Sequence, residues 1–160
     1  MEYAPKTIAV VCTGNICRSP MAERLLQHAL DAEEEPLHSC RVVSAGISAA
    51  SGLPASENAL RALGKVGLDL SGHESQPFSR KLADGSDLIL VMTSGHMRAI
   101  QTELPELKAP VYRFREWVAA GPRDVLDPFG GPLDLYVETR DNLAEAVPSI
   151  IQFIKSGNLK

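Results

Sequence analysis

The sequence predicts an α/β fold with three layers, α/β/α, around a central, mostly four-stranded, parallel twisted sheet. Two observations carry this. Short apolar, β-branched runs recur at Thr7 to Cys12 (TIAVVC), Arg41 to Ala45, Leu88 to Met92 (LILVM) and Val111–Tyr112. Segments with apolar residues at helical spacing lie between and after them. Strands that alternate with helices imply a parallel sheet covered on both faces.

The first run suits a fully buried parallel strand. A turn-forming stretch, Thr13-Gly14-Asn15-Ile16-Cys17-Arg18, follows it. Ser19 before Pro20 reads as an N-cap and first-turn pair, opening a helix with Met21, Ala22, Leu25, Leu26, Ala29 and Leu30 on one face. Asp31 to Ser39 holds three glutamates and a proline and reads as a loop. A helix is expected from Pro54 to Val66. Ser94 is expected to cap another that runs to Leu104, stopped by Pro105. Residues Gly121 to Pro132 are too rich in Gly, Pro and Asp for regular structure. A last helix carries Leu143, Val147, Ile150, Ile151 and Ile154, with a kink or break expected near Val147 because Pro148 follows.

Composition sets limits on function. The 160 residues fit a single domain, 1–160, large enough to bury a core without staples. The net charge of −4 and the absence of a dense Lys/Arg cluster argue against a nucleic-acid partner. No apolar run is long enough to span a bilayer, so no membrane partner is expected, and residues 1–7 are too polar for a secretion signal. Three cysteines, Cys12, Cys17 and Cys40, make no disulfide framework and no zinc-ligand spacing. A cytoplasmic protein with reduced thiols and no metal is the expectation.

The chemistry is concentrated in Cys12 to Ser19, CTGNICRS. A loop of this length can curl so that successive N–H groups point inward, making a nest for a tetrahedral oxyanion beside a helix N-terminus. It is thus expected to be a phosphate-binding loop after the first strand. Gly14 is expected to supply conformational freedom, and Asn15 to tolerate left-handed geometry and brace the loop. Arg18 offers a planar fork for two phosphoryl oxygens. The same positive field favours thiolate at Cys12. Ser19 can donate a hydrogen bond to that sulfur. No Gly-Lys-Ser/Thr follows, which disfavours a nucleotide triphosphate. A cysteine ending a buried strand can also be simple core.

VCTGNICRSP resembles the signature of the low-molecular-weight protein tyrosine phosphatases, and Asp127-Pro128-Phe129-Gly130 resembles their second motif. The resemblance implies that Cys12 attacks phosphorus and that Arg18 and the N–H groups of Thr13, Gly14, Asn15, Ile16, Cys17 and Ser19 bind the phosphoryl oxygens. It implies that Asp127, followed by Pro128 and Phe129, serves as acid and then base. Ser44 and His73 are implied as braces of the loop, and Cys17 as a partner for a reversible disulfide with Cys12. Cys17 can equally be a small apolar residue behind the loop. Cys40 reads as structural. His28, His38 and His96 read as surface residues. Asp124 is the competing acid candidate. No cofactor is implied. The partner is a phosphorylated protein or small aryl phosphate, and a monomer is expected.

The family implies two substrate classes. The loop position of Ile16 is usually bulky and aliphatic in the phosphotyrosine branch and Thr in the phosphoarginine branch. Ile16 favours phosphotyrosine, because its bulk fits a flat ring and leaves a guanidinium without a polar partner. Against this, Ile47 to Leu53 holds no aromatic residue, and DVLDPFGG resembles the arginine branch. Phosphotyrosine is the expected substrate and phosphoarginine the alternative. An arsenate reductase would need relay cysteines that Lys81 to Thr93 lacks. A non-catalytic phosphopeptide module would have lost Cys12, Arg18 or Asp127.

Overall fold

The computed structural model describes residues 6–159. The polar stretch at residues 1–5, part of the N-terminal reading above, lies outside the described residues.

Four strands, β1 (Thr7–Cys12), β2 (Arg41–Gly46), β3 (Leu88–Val91) and β4 (Val111–Arg113), form one parallel sheet in the order β2-β1-β3-β4. The helices are α1 (Arg18–Asp31), α2 (Glu57–Gly64), α3 (Arg80–Asp84), α4 (Ser94–Glu103) and α5 (Leu133–Phe153). The apolar β1 run is buried on both faces because its side chains alternate. Ile8 and Val10 pack in a core with Met21 and Leu26 of α1, Leu63 of α2 and Leu143 and Ile150 of α5. Ala9 and Val11 pack in a second core with Ala83 of α3 and Ile100 of α4. Three layers result.

The chain runs from β1 outward to β2 and then returns to the other side of β1 for β3. The loops leaving β1 and β3 therefore diverge above β1, the point where open parallel sheets bind ligands. Cys12 is the last residue of β1 and is paired with Gly46.

Several local expectations need correction. Ser19 does not cap α1. The helix begins at Arg18 with Cys17 in the cap position, and the Ser19 hydroxyl is turned toward Cys12 instead. Thr93, not Ser94, caps α4, its hydroxyl accepting from the His96 N–H. Helix α2 is shorter than the apolar pattern suggests, spanning only Glu57–Gly64. Three short elements among the described residues escape the pattern: α3, a 3₁₀ turn at Leu37–Ser39 and a π-helical turn at Ile154–Asn158. Helix α5 runs unbroken through Pro148. Pro148 lies on the exposed face, so the carbonyl of exposed Ala144, which loses its helical partner, can turn to water.

Candidate active site

The loop after β1 folds back on its own sulfur. The Asn15 N–H donates to Cys12 Sγ at 3.3 Å, and the Ser19 hydroxyl lies 2.9 Å from the same sulfur. Cys12 is buried. Among the described residues, the N–H groups of Gly14, Ile16 and Cys17 donate to no protein acceptor, which leaves them for a ligand.

Asn15 holds this curl. Its φ of 57° is the left-handed turn of the loop. Gly14 does not take that geometry, and a Cβ there would meet only Ile16 at 3.9 Å, so the freedom expected of Gly14 is used at Asn15 instead. The Asn15 side chain is fully buried and fully paired. Its amide donates to Ser19 Oγ (2.8 Å) and Ser44 Oγ (2.9 Å), and its carbonyl accepts from the Gln76 N–H (2.9 Å). His73 Nε2 donates to the Asn15 main-chain carbonyl at 2.7 Å. Ser44 and His73 are thus brought to the loop where the sequence places them. Gly46, which the sequence reading missed, is also required. A Cβ there would sit 2.4 Å from the Thr13 carbonyl oxygen.

Arg18 is buried at the start of α1. One terminal nitrogen, Nη1, donates to the Val125 carbonyl (2.9 Å), and the other lies 3.5 Å from both Thr13 Oγ1 and Asp127 Oδ2. Its Nε is buried without a partner. Such an orphan donor beside free amides suits an anion.

The acid loop is fastened at several points. The Val125 N–H donates to the Met92 carbonyl at the end of β3. The buried Arg115 guanidinium bonds the carbonyls of Ala120, Pro122 and Asn142. Asp124, the competing acid candidate, accepts from the Ser94 N–H (3.1 Å) and pairs with Arg113 (3.5 Å), so it serves the start of α4. Asp127 is half-exposed, and its Oδ1 accepts from the Phe129 N–H. Cys12 to Arg18, Asp127 and Phe129 line one cavity of about 260 Å³. Phe129 in this lining is 69% exposed, and Leu126, next to Asp127 in the chain, is 77% exposed.

Cys17 lines the same cavity as Cys12, and its sulfur lies 3.3 Å from Tyr136 Oη and 3.4 Å from Ser56 Oγ. Burial pushes its thiol up, an effect that the two hydroxyls oppose. Cys12, Cys17 and the buried Cys40 are all free thiols. Among the described residues no group of three His, Cys, Asp or Glu could hold a metal ion.

His28 and His38 are exposed, as expected, but His96 is not a surface residue. It is 8% exposed, with Nε2 2.9 Å from Thr13 Oγ1. Burial, and then the nearby Arg18 cation, lower its pKa to about 4. Nothing local in the sequence marks it. The contact joins residues 83 positions apart.

The arrangement is a sulfur beneath an amide-lined cup, a guanidinium at its side and a carboxyl at its mouth. Similar chains carry telling names. The model of the family described as "Low molecular weight phosphotyrosine protein phosphatase" matches residues 7–158. The protein-arginine-phosphatase of Bacillus subtilis (strain 168) is 39% identical over 148 residues, 92% of this chain and 96% of that protein. The probable low molecular weight protein-tyrosine-phosphatase EpsP of Ralstonia nicotianae is 36% identical over 151 residues, 94% and 97% of the two chains. The solved YwlE arginine phosphatase from Geobacillus stearothermophilus superposes with a TM-score of 0.84 at 34% identity, covering 97% of this chain and 96% of its own.

Proposed function

This chain belongs to the low molecular weight phosphotyrosine protein phosphatase family, whose members are cysteine-nucleophile hydrolases, and on that premise we propose that it dephosphorylates phosphotyrosine in proteins through a phospho-cysteine on Cys12. The Cys12 thiolate attacks phosphorus, and the P–O bond to the phenol breaks. Asp127 gives its proton to the departing oxygen. A water then attacks the phosphorus, Asp127 takes the water's proton, and the S–P bond breaks to return the thiolate and release phosphate. Arg18 and the loop amides neutralise the equatorial oxygens throughout. Two easier displacements replace one hard one. Ser19 shares its hydroxyl hydrogen with the sulfur when it leaves as thiolate.

The choice of phosphotyrosine rests on Ile16. It lines the cavity with Phe129 and offers a flat ring an apolar wall and a guanidinium no polar partner. A second reading, phosphoarginine, is favoured by the arginine phosphatases among the relatives and by Asp124 to Gly131. Turnover of phosphotyrosine and phosphoarginine peptides on one preparation distinguishes them. Faster phosphotyrosine cleavage is expected, with Ile16→Thr shifting activity toward phosphoarginine. Faster phosphoarginine cleavage by the wild type reverses the assignment. Asp127 and Cys12 keep their roles in either case.

The free thiols and the net charge of −4 support a cytoplasmic enzyme that binds phosphorylated proteins and not nucleic acid. No helix among the described residues is long and apolar enough to cross a membrane. Among the described residues, two of the four exposed large apolar residues, Leu126 and Phe129, flank Asp127, which supports a monomer whose apolar surface is kept for substrate.

A further inference from the structure

His96 lies on the first turn of α4, outside both loops assigned to the reaction. Its Nε2 nonetheless meets the Thr13 hydroxyl at 2.9 Å, and Thr13 Oγ1 lies 3.5 Å from Nη2 of Arg18. The guanidinium thus meets the Val125 carbonyl through Nη1, and both Thr13 Oγ1 and the half-exposed Asp127 carboxylate, each at 3.5 Å, through Nη2. Its Nε stays unpartnered and buried. Tilting the fork by even a small angle would spoil a two-point grip on phosphoryl oxygens.

We propose that His96 is a positioning residue for this phosphatase: a neutral imidazole that accepts the Thr13 hydroxyl hydrogen and so turns the Thr13 oxygen onto Arg18. The hydroxyl has one hydrogen and two lone pairs. With the hydrogen given to His96, a lone pair is free to accept from the guanidinium. In this arrangement the ring hydrogen is on Nδ1, which is buried and meets no acceptor among the described residues. A protonated ring would reverse the bond and set a second cation beside Arg18. The surroundings oppose that form. The ring is buried at the amide end of α4, where the helix dipole disfavours a cation. Arg18 faces it from α1, while Asp127 and Asp124 from the acid loop only partly offset these effects.

The inference rests on the phosphatase reading for its kinetic part only. On p-nitrophenyl phosphate at pH 6, His96→Ala and Thr13→Val should each lower kcat/KM about tenfold, the scale of one hydrogen bond to a charged group. The double variant should be no worse than the poorer single one, because both cut the same chain. His96→Gln, whose amide oxygen can reach Thr13, should recover most of the loss. Additive losses, or a fully active Thr13→Val, overturn the proposal. Thr13→Val changes only a hydroxyl for a methyl, so it reports even if His96→Ala fails to fold. The wild type supplies a readout independent of turnover. Nitrogen NMR should show the His96 ring neutral at pH 6 with Nε2 bare of hydrogen, before and after addition of inorganic phosphate. A hydrogen on Nε2 overturns the proposal. A wild type that hydrolyses nothing but shows the bare Nε2 overturns the phosphatase reading instead.

Discussion

The carboxyl of Asp127 stands 3.5 Å from the Arg18 guanidinium, on the rim of the cup that holds Cys12. In the proposed mechanism an incoming phosphoryl group takes the guanidinium and frees the carboxyl to meet the leaving group. Replacing Asp127 by Asn should lower kcat about 10²–10³-fold, within the range for a lost general acid. The loss should be larger for phenyl phosphate than for p-nitrophenyl phosphate, whose leaving group needs less help. Equal losses on the two substrates in steady-state assays would argue that Asp127 is not the acid.

Lysine cannot replace the Arg18 fork. Arg18→Lys keeps the charge but loses the planar, two-point grip. We expect kcat/KM to fall about 10²-fold or more, the scale for a lost transition-state donor. Retention of most activity would contradict the proposed role.

Asn15 is the structural keystone. Asn15→Ala takes one partner each from the Ser19 and Ser44 hydroxyls, leaves the Gln76 N–H unpaired and puts a non-Asn residue at φ 57°. Urea unfolding should show a loss of about 2–4 kcal/mol, the sum of unsatisfied polar groups and backbone strain. Activity should fall with it, since the same bonds curl the loop. Gly46→Ala makes an independent test of the loop's packing. Its Cβ would press on the Thr13 carbonyl, and a cost of about 1–3 kcal/mol is expected in the same assay.

Stability should depend on pH through His96. Its pKa is lowered from 6.5 to about 4, so between those values the unfolded chain binds a proton that the native protein refuses. Stability therefore falls as pH drops from 6.5 toward 4 and levels off below. The ring is 8% exposed, so little of this is screened, and its share is about 3 kcal/mol. Urea melts at pH 7 and pH 4.5 should show a smaller acid loss for His96→Gln than for the wild type. Equal losses would mean that His96 titrates near its ordinary value.

Much of this was legible in the chain because its signals are local. TIAVVC reads as a strand buried on both sides, and it is, with Ile8 and Val10 in one core and Ala9 and Val11 in the other. The span from Cys12 to Ser19 carries its own turn, sulfur and guanidinium. The errors arise where equivalent neighbours compete or where distance matters. Thr93 and Ser94 are both good caps, and the Ser94 N–H is served by Asp124 instead. Ser19 is a good cap in sequence but has a stronger call on its hydroxyl from Cys12 and Asn15. Pro148 can end a helix, yet on an exposed face the cost of one missing bond is small beside the burial of Val147, Ile150 and Ile151. His96 and Gly46 were invisible because their partners come from elements far along the chain.

Covalent phosphorylation of Cys12 is the step on which the proposed mechanism depends. Asp127→Ala should slow hydrolysis of the intermediate as well as its formation. Rapid acid quench of that variant with p-nitrophenyl phosphate, followed by mass spectrometry, should find one phosphoryl group on the peptide carrying Cys12, absent in the Cys12→Ala, Asp127→Ala double variant. Turnover that survives Cys12→Ser, with no phosphorylated Cys12 in the quenched enzyme, would contradict it.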